Sequence, residues 1–329
     1  MSVPTLAAPW DATLSNAEHS LILYFLCFAA LTLLAGFVRA YITRSEVGAR
    51  YRASVVARLG LMGTASLGYV LIIIMFFIGY DPTSAGWVPN SYAINTVATR
   101  YMEWSVTVPL LCAELIAVTT ALGVVARRTQ FITMGGAFLM IFTGYLGAVV
   151  VDGGTNAGAT AMFFGISVLF WVLTTVVLIR CVRASLPGLT PEAAVLLSRA
   201  TVLLLAGWAI YPLVVSIQLF AAGGAWTTTI QVALCVTDVV VKVGFGTLIH
   251  RVAMLRTAED VRAGDDIHPE AIWISSVKQS DAGLPREVYL AQSSTVHPTR
   301  TRPPDAAAVP TEPEPETAEA RLVEAATEL

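Results

Sequence analysis

One stretch of twenty-one residues, Gln231 to Arg251 (QVALCVTDVVVKVGFGTLIHR), constrains the whole chain. It is long enough to cross a bilayer as a helix, yet its middle carries Asp238 and Lys242. An ionisable side chain at membrane depth is costly and marks a functional position by default. The i, i+4 spacing places carboxylate and amine one turn apart on one helix face. The chain has two lysines, Lys242 and Lys278, against eighteen arginines, so a lysine at this depth is a choice of chemistry. Arginine could supply the charge but not a nucleophilic amine, because it stays protonated in proteins. Two readings are open: a Schiff base between Lys242 and a carbonyl ligand, or an Asp–Lys pair that holds a helix bundle together.

The rest of the chain is apolar enough to keep either reading inside a membrane. Hydrophobic residues make up 56% and charged residues 13%, with a mean hydropathy of +0.69. That is the composition of an integral membrane protein, with the lipid bilayer as its partner. No basic patch with interleaved aromatics is present, so nucleic-acid binding is not expected. Cys27, Cys112, Cys181 and Cys235 are scattered through apolar segments without C-x-x-C or Cys/His ligand spacing. Neither a disulfide framework nor a metal site is expected from them. The opening residues lack the basic n-region and early apolar run of a cleavable signal peptide.

Seven apolar segments can be counted, at about 19–43, 53–79, 95–124, 130–151, 158–182, 196–221 and 227–251, each sufficient to span the hydrocarbon core. The expected fold is an all-α membrane protein, a seven-transmembrane helix bundle. It occupies 19–256, after an extracellular leader (1–18) and before a tail (257–329). Arg44, Arg50 and Arg52 lie between the first two segments, and Arg127 and Arg128 between the third and fourth. Arg180, Arg183 and Arg199 flank the fifth connection, and Arg251 and Arg256 follow the last segment. The leader and the other three connections are free of lysine and arginine up to Arg100. The positive-inside rule then puts the N-terminus outside and the C-terminus in the cytoplasm of a multi-pass plasma-membrane protein. The tail is acidic and rich in Pro, Glu, Ala and Thr, a composition that stays mostly disordered. Its last dozen residues could form a short helix with a cytoplasmic signalling partner.

The third segment reads RYMEWSVTVPLLCAELI from Arg100. Arg100, Glu103, Thr107 and Glu114 fall on one stripe of a helix. Glu103 and Glu114 are eleven residues apart, so roughly 16 Å along the axis. Carboxylates stacked that way read as stations on a proton path or as interfacial glutamates. R-Y-x-E-W-x-x-T-x-P-L-L with the following Glu114 resembles the third helix of microbial (type 1) rhodopsins. The D-x-x-x-K-x-G-F-G of Asp238 to Gly246 resembles their seventh, and the W-x-x-Y-P of Trp208, Tyr211 and Pro212 their sixth. Three motifs in order on a seven-segment chain make the resemblance specific, and it covers about residues 19–251.

The resemblance implies all-trans retinal on Lys242 as a protonated Schiff base. Glu103 would be the counterion and primary proton acceptor, with Asp238 the second member of the complex and Tyr69 its hydrogen-bond partner. Arg100 and the Schiff base would offset the two carboxylates, as a low-dielectric interior requires. Trp104, Trp208 and Tyr211 would sandwich the polyene, with Leu111, Met140, Gly144 and Trp171 completing the pocket. Departures from the family pattern accompany these matches. Glu103 stands where outward pumps more often have aspartate, Val215 replaces a second pocket tryptophan, and Phe220 and Ile230 occupy the positions of a proton-release group. Arg58 lies inside the second segment at about the depth of Glu114, or within snorkelling reach of the interface. A buried arginine there is similar to the cryorhodopsin subgroup of slow, photochromic light sensors. If Arg58 meets Glu114, the carboxylate is ionised at rest and has no proton to give. The expected function is a photoreceptor, not an enzyme, with a slow cycle of Schiff-base deprotonation. The alternative is a light-driven outward proton pump. Rhodopsins of this type commonly form trimers or pentamers, so a homo-oligomer is expected.

Overall fold

The computed structural model describes residues 8, 10–218 and 222–264. Residues 1–7 and 9 of the leader, the tail beyond 264, Phe220 and the side chain of Val215 lie outside the described residues. Within them the chain forms seven long helices, each beginning or ending where local chemistry dictates.

The first helix, α1 (Asn16–Ile42), starts at a capping box in which the Ser15 hydroxyl accepts from the Glu18 amide and the Glu18 carboxylate accepts from the Ser15 amide. Helix α2 (Arg52–Gly79) leads into an antiparallel hairpin of β1 (Tyr80–Thr83) and β2 (Gly86–Pro89). Sequence reading assigned this connection to a loop; its short strands fall below any periodic signal. Leu14 pairs with Trp87 in the same sheet, so the leader is stitched to the hairpin. Then come α3 (Ile94–Ala117), α4 (Gly123–Tyr145), α5 (Ala157–Ser185) and α6 (Pro191–Gln218). The seventh span runs over Gly224–Ala263. It comprises α7 (Gly224–Val239), a π-helical turn over Val240–Phe245, and α8 (Gly246–Ala263).

Six of the seven spans are apolar enough to read as membrane helices by composition alone. The exception is α3, whose charged stripe lowers its hydropathy while Arg100, Glu103, Thr107 and Glu114 all turn inward and are buried. The lipid-facing side carries Leu31, Val56, Leu67 and Phe131, all well exposed, as a hydrocarbon solvent permits.

Two boundaries differ from the sequence reading. Helix α3 ends at Ala117 rather than near 124, and Arg127 and Arg128 lie inside α4 instead of between helices. The Val118 and Thr119 carbonyls left open there accept from Arg256 at 2.8 and 2.7 Å, a cap that comes from another helix. Helix α8 also runs past 257, to a left-handed Gly264 C-cap. With the Arg256 cap counted, its last turns are held to three connections. Thr257 accepts from the Gly48 amide at 2.9 Å, Asp260 from the Tyr51 hydroxyl at 2.7 Å, and Glu259 from the Thr190 hydroxyl at 2.5 Å. These contacts lie at the arginine-rich end of the bundle, opposite the hairpin.

Candidate functional site

Lys242 sits in the π-helical turn and is only 1% exposed. Its Nζ lies 2.8 Å from Glu103 Oε1 and 3.3 Å from Asp238 Oδ2. Both carboxylates are buried. Asp238 is the more heavily tied of the two. It accepts from the Tyr211 hydroxyl at 2.6 Å, the Tyr69 hydroxyl at 2.8 Å and the Trp104 indole at 3.3 Å, with Arg100 3.8 Å away. Arg100 also donates to Tyr69 (3.1 Å) and to Gln231 (2.8 Å). By contrast, Glu103 Oε2 has no hydrogen-bond partner among the described residues. Two cations thus face two carboxylates in one buried cluster, which meets the pairing that buried charges require. Glu103 keeps the spare acceptor capacity.

The fit is made possible by Gly68 on α2. A Cβ there would stand 2.5 Å from Glu103 Cγ, well inside the normal 3.5–4.0 Å contact between carbons. Gly68 and Gln231 were not singled out from sequence, because their roles come from neighbours on other helices.

Beside the cluster lies a cavity of about 150 Å³ lined by Trp104, Val108, Met140, Gly144, Trp171, Trp208, Tyr211 and Pro212. Two of the lining residues, Trp104 and Tyr211, meet in an edge contact with ring centroids 4.8 Å apart. Both donate to Asp238, whose Oδ2 is 3.3 Å from Lys242 Nζ, so the lining is tied to the charged cluster by hydrogen bonds. Leu111 is buried in the core and is not among the lining residues; Val108, one turn earlier, takes that place. Gly144 is where Tyr101 closes in, at 3.2 Å from a hypothetical Cβ.

On the other side of Lys242, toward the arginine-rich end, Arg58 and Glu114 approach each other across Gly246. A Cβ on Gly246 would meet Arg58 Cδ at 3.3 Å and Glu114 Oε1 at 3.5 Å. No ion pair of 4 Å or less joins Arg58 to Glu114 among the described residues, so the condition that the two side chains meet directly is not fulfilled, although each lies in the other's field. The guanidinium instead reaches the Thr43 hydroxyl (3.3 Å) and the Gly246 carbonyl (3.4 Å). Arg58 is 6% exposed, so it is buried rather than snorkelling. Arg58 Nε and Glu114 Oε2 both lack partners among the described residues.

A seven-helix membrane protein with a buried, doubly counter-charged lysine beside an aromatic-lined cavity is the class this geometry defines. The family follows from comparison. Residues 19–255 match the model of the bacteriorhodopsin-like protein family, and the chain belongs to that family of microbial rhodopsins. It is 30% identical over 190 residues to archaerhodopsin-3 of Halorubrum sodomense, covering 57% of this chain and 68% of that one. It is 25% identical over 260 residues to a green-light absorbing proteorhodopsin of Gamma-proteobacterium EBAC31A08, covering 77% and 94%. The structure of xanthorhodopsin, a light-driven ion pump with dual chromophore, superposes with a TM-score of 0.66 at 27% identity, covering 75% and 98%. The protein is therefore a multi-pass rhodopsin of the plasma membrane.

Proposed function

We propose that the chain binds all-trans retinal as a Schiff base on Lys242 and serves as a light-activated receptor with a slow cycle. The cavity supports the first half: it is mostly apolar, and two of its lining residues, Trp104 and Tyr211, donate to Asp238 beside Lys242. Trp104, Trp208, Tyr211, Met140, Gly144, Trp171 and Pro212 would hold the chromophore. Aromatic faces supply contact area at low entropy cost. Bound there, retinal would supply visible absorption and a light-driven isomerisation that changes the proton affinity at Lys242 Nζ.

The chain's own residues then set the route of the proton. Glu103 Oε1, already 2.8 Å from Nζ, is the acceptor. Asp238 stays an anion because two tyrosine hydroxyls, an indole and Arg100 hold its charge. The arginine-rich end faces the cytoplasm, so the proton moves outward and is replaced from the cytoplasmic side through Glu114.

The observation that carries the slow cycle is Arg58. It is a buried cation next to Glu114, with no carboxylate in ion-pair contact among the described residues. A fixed positive charge in a low-dielectric path repels an incoming proton, and desolvation leaves that repulsion poorly screened. Return of the proton is slow, as suits a sensor of the cryorhodopsin kind, read out by a cytoplasmic partner of the tail. The second reading, an outward proton pump, draws on the Glu103 and Glu114 stations and on the likeness to xanthorhodopsin, a light-driven ion pump. Flash photolysis of the retinal-loaded protein, with light-induced pH changes recorded in cells, tests the choice. Recovery over seconds or longer with little net acidification supports the receptor; recovery in tens of milliseconds with sustained external acidification overturns it.

A further inference from the structure

His250 is buried on α8, one turn beyond Gly246 and two beyond Lys242. Its Nε2 lies 2.9 Å from Glu46 Oε2, on the connection between α1 and α2. The Glu46 side chain is 36% exposed at the arginine-rich surface, whereas that of His250 is 5% exposed. The other ring nitrogen, Nδ1, is buried and has no partner among the described residues. Two more buried polar atoms without partners, Arg58 Nε and Glu114 Oε2, belong to side chains that both abut Gly246. Buried polar groups are satisfied as a rule, and three unmet ones in succession are the pattern that ordered water fills. The charged neighbours of the ring are known from every element packed on it. Glu46 lies on the loop, Arg39 on α1 and Arg58 on α2, and Glu114 on α3 lies beyond Gly246.

We propose that Glu46 and His250 form the proton-uptake relay of this protein, delivering protons from the cytoplasm through water past Arg58 to Glu114. The proposal rests on the proton route given above and deepens it. The imidazolium donates Nε2–H to Glu46 and releases the Nδ1 proton inward to water, which passes one proton to the Glu114 carboxylate. The ring is left neutral, with Nε2 protonated. Glu46 takes one proton from the cytoplasm, and a turn of the ring brings the bare nitrogen to it and restores the imidazolium. One proton enters for each that leaves. Histidine suits the task because its ordinary titration range spans neutral pH. The buried cation at Arg58 makes such a relay necessary, since a hydronium alone would be repelled there.

The test is His250→Gln in the full-length, retinal-loaded protein, with Glu46→Gln as the second variant. Glutamine keeps a hydrogen bond at either position but carries no proton. Dark recovery of the wild type should quicken as pH falls and the imidazole takes up its proton. In His250→Gln it should slow by about a hundredfold, the low end for a positioned proton-transfer group, and lose that pH dependence. Added imidazole should restore the rate. Nitrogen-15 NMR of histidine-labelled protein without retinal should show His250 titrating in the wild type and losing its Nε2 hydrogen bond in Glu46→Gln. A His250→Gln variant with wild-type rate and pH profile overturns the relay and leaves a structural clasp between loop and helix. Absence of any light-driven proton loss at Lys242 in the wild type overturns the underlying proton route instead.

Discussion

Gly68→Ala is the sharpest probe of the counterion geometry. The added methyl would sit 2.5 Å from Glu103 Cγ and 3.0 Å from its Cβ. Carbon contacts normally settle at about 3.5–4.0 Å, so the carboxylate side chain must withdraw by about 1 Å. Glu103 Oε1 now stands 2.8 Å from Lys242 Nζ. Moving it to near 3.8 Å breaks the hydrogen bond and, at an effective dielectric constant of about 20, weakens the Coulomb attraction from roughly 6 to roughly 4.5 kcal/mol. The loss of about 1.5 kcal/mol of ground-state stabilisation lowers the excitation energy of a chromophore whose positive charge moves away from Nζ on excitation. The absorption band of the retinal-loaded variant should therefore shift to the red, and its acid titration should move with it. Gly135→Ala is the control, because nothing lies within 4 Å of a Cβ there. A Gly68→Ala band and titration indistinguishable from wild type, with Gly135→Ala also unchanged, would refute the claim that Gly68 sets the Glu103–Lys242 distance.

Three further outcomes are expected. Lys242→Ala and Lys242→Arg should both lose the visible band while keeping the helical circular dichroism of the folded bundle, because arginine keeps the charge but forms no imine; a visible band in either ends the covalent reading. Glu103→Gln should show at neutral pH the red-shifted band that the wild type reaches only in acid, as loss of the counterion charge requires; superimposable spectra of the two across acid pH remove Glu103 from the role. Arg58→Thr should speed dark recovery by about tenfold or more, the effect of relieving roughly 1.4 kcal/mol of repulsion on the proton path; unchanged recovery by flash photolysis removes Arg58 as the cause of a slow cycle.

Much of this site is legible in the sequence alone. Lys242, Asp238 and the stripe Arg100–Glu103–Thr107–Glu114 announce themselves because charge in an apolar segment is rare and expensive. Helical spacing alone then puts the stripe on one face, and the structure buries it. Tyr69 on Asp238 was also legible through the family resemblance. What sequence could not supply was anything set by the distance between helices. Gly68 gives room to Glu103, Gln231 anchors Arg100, and Val108 rather than Leu111 lines the cavity. Arg58 shows the limit most clearly. Its depth was right, yet a long side chain chooses among partners by rotamer, and this one turns to Thr43 and Gly246 rather than to Glu114. His250 carried no sequence signal at all, since its meaning comes from Glu46 on a different connection.

The fastening of α8 has a mechanical consequence. Arg256, Thr257, Glu259 and Asp260 attach within five residues to the turn after α3, to the turn before α2 and to the residue preceding α6. Because one five-residue stretch of α8 holds all three connections, a displacement of that helix would be shared among three loops rather than absorbed by one.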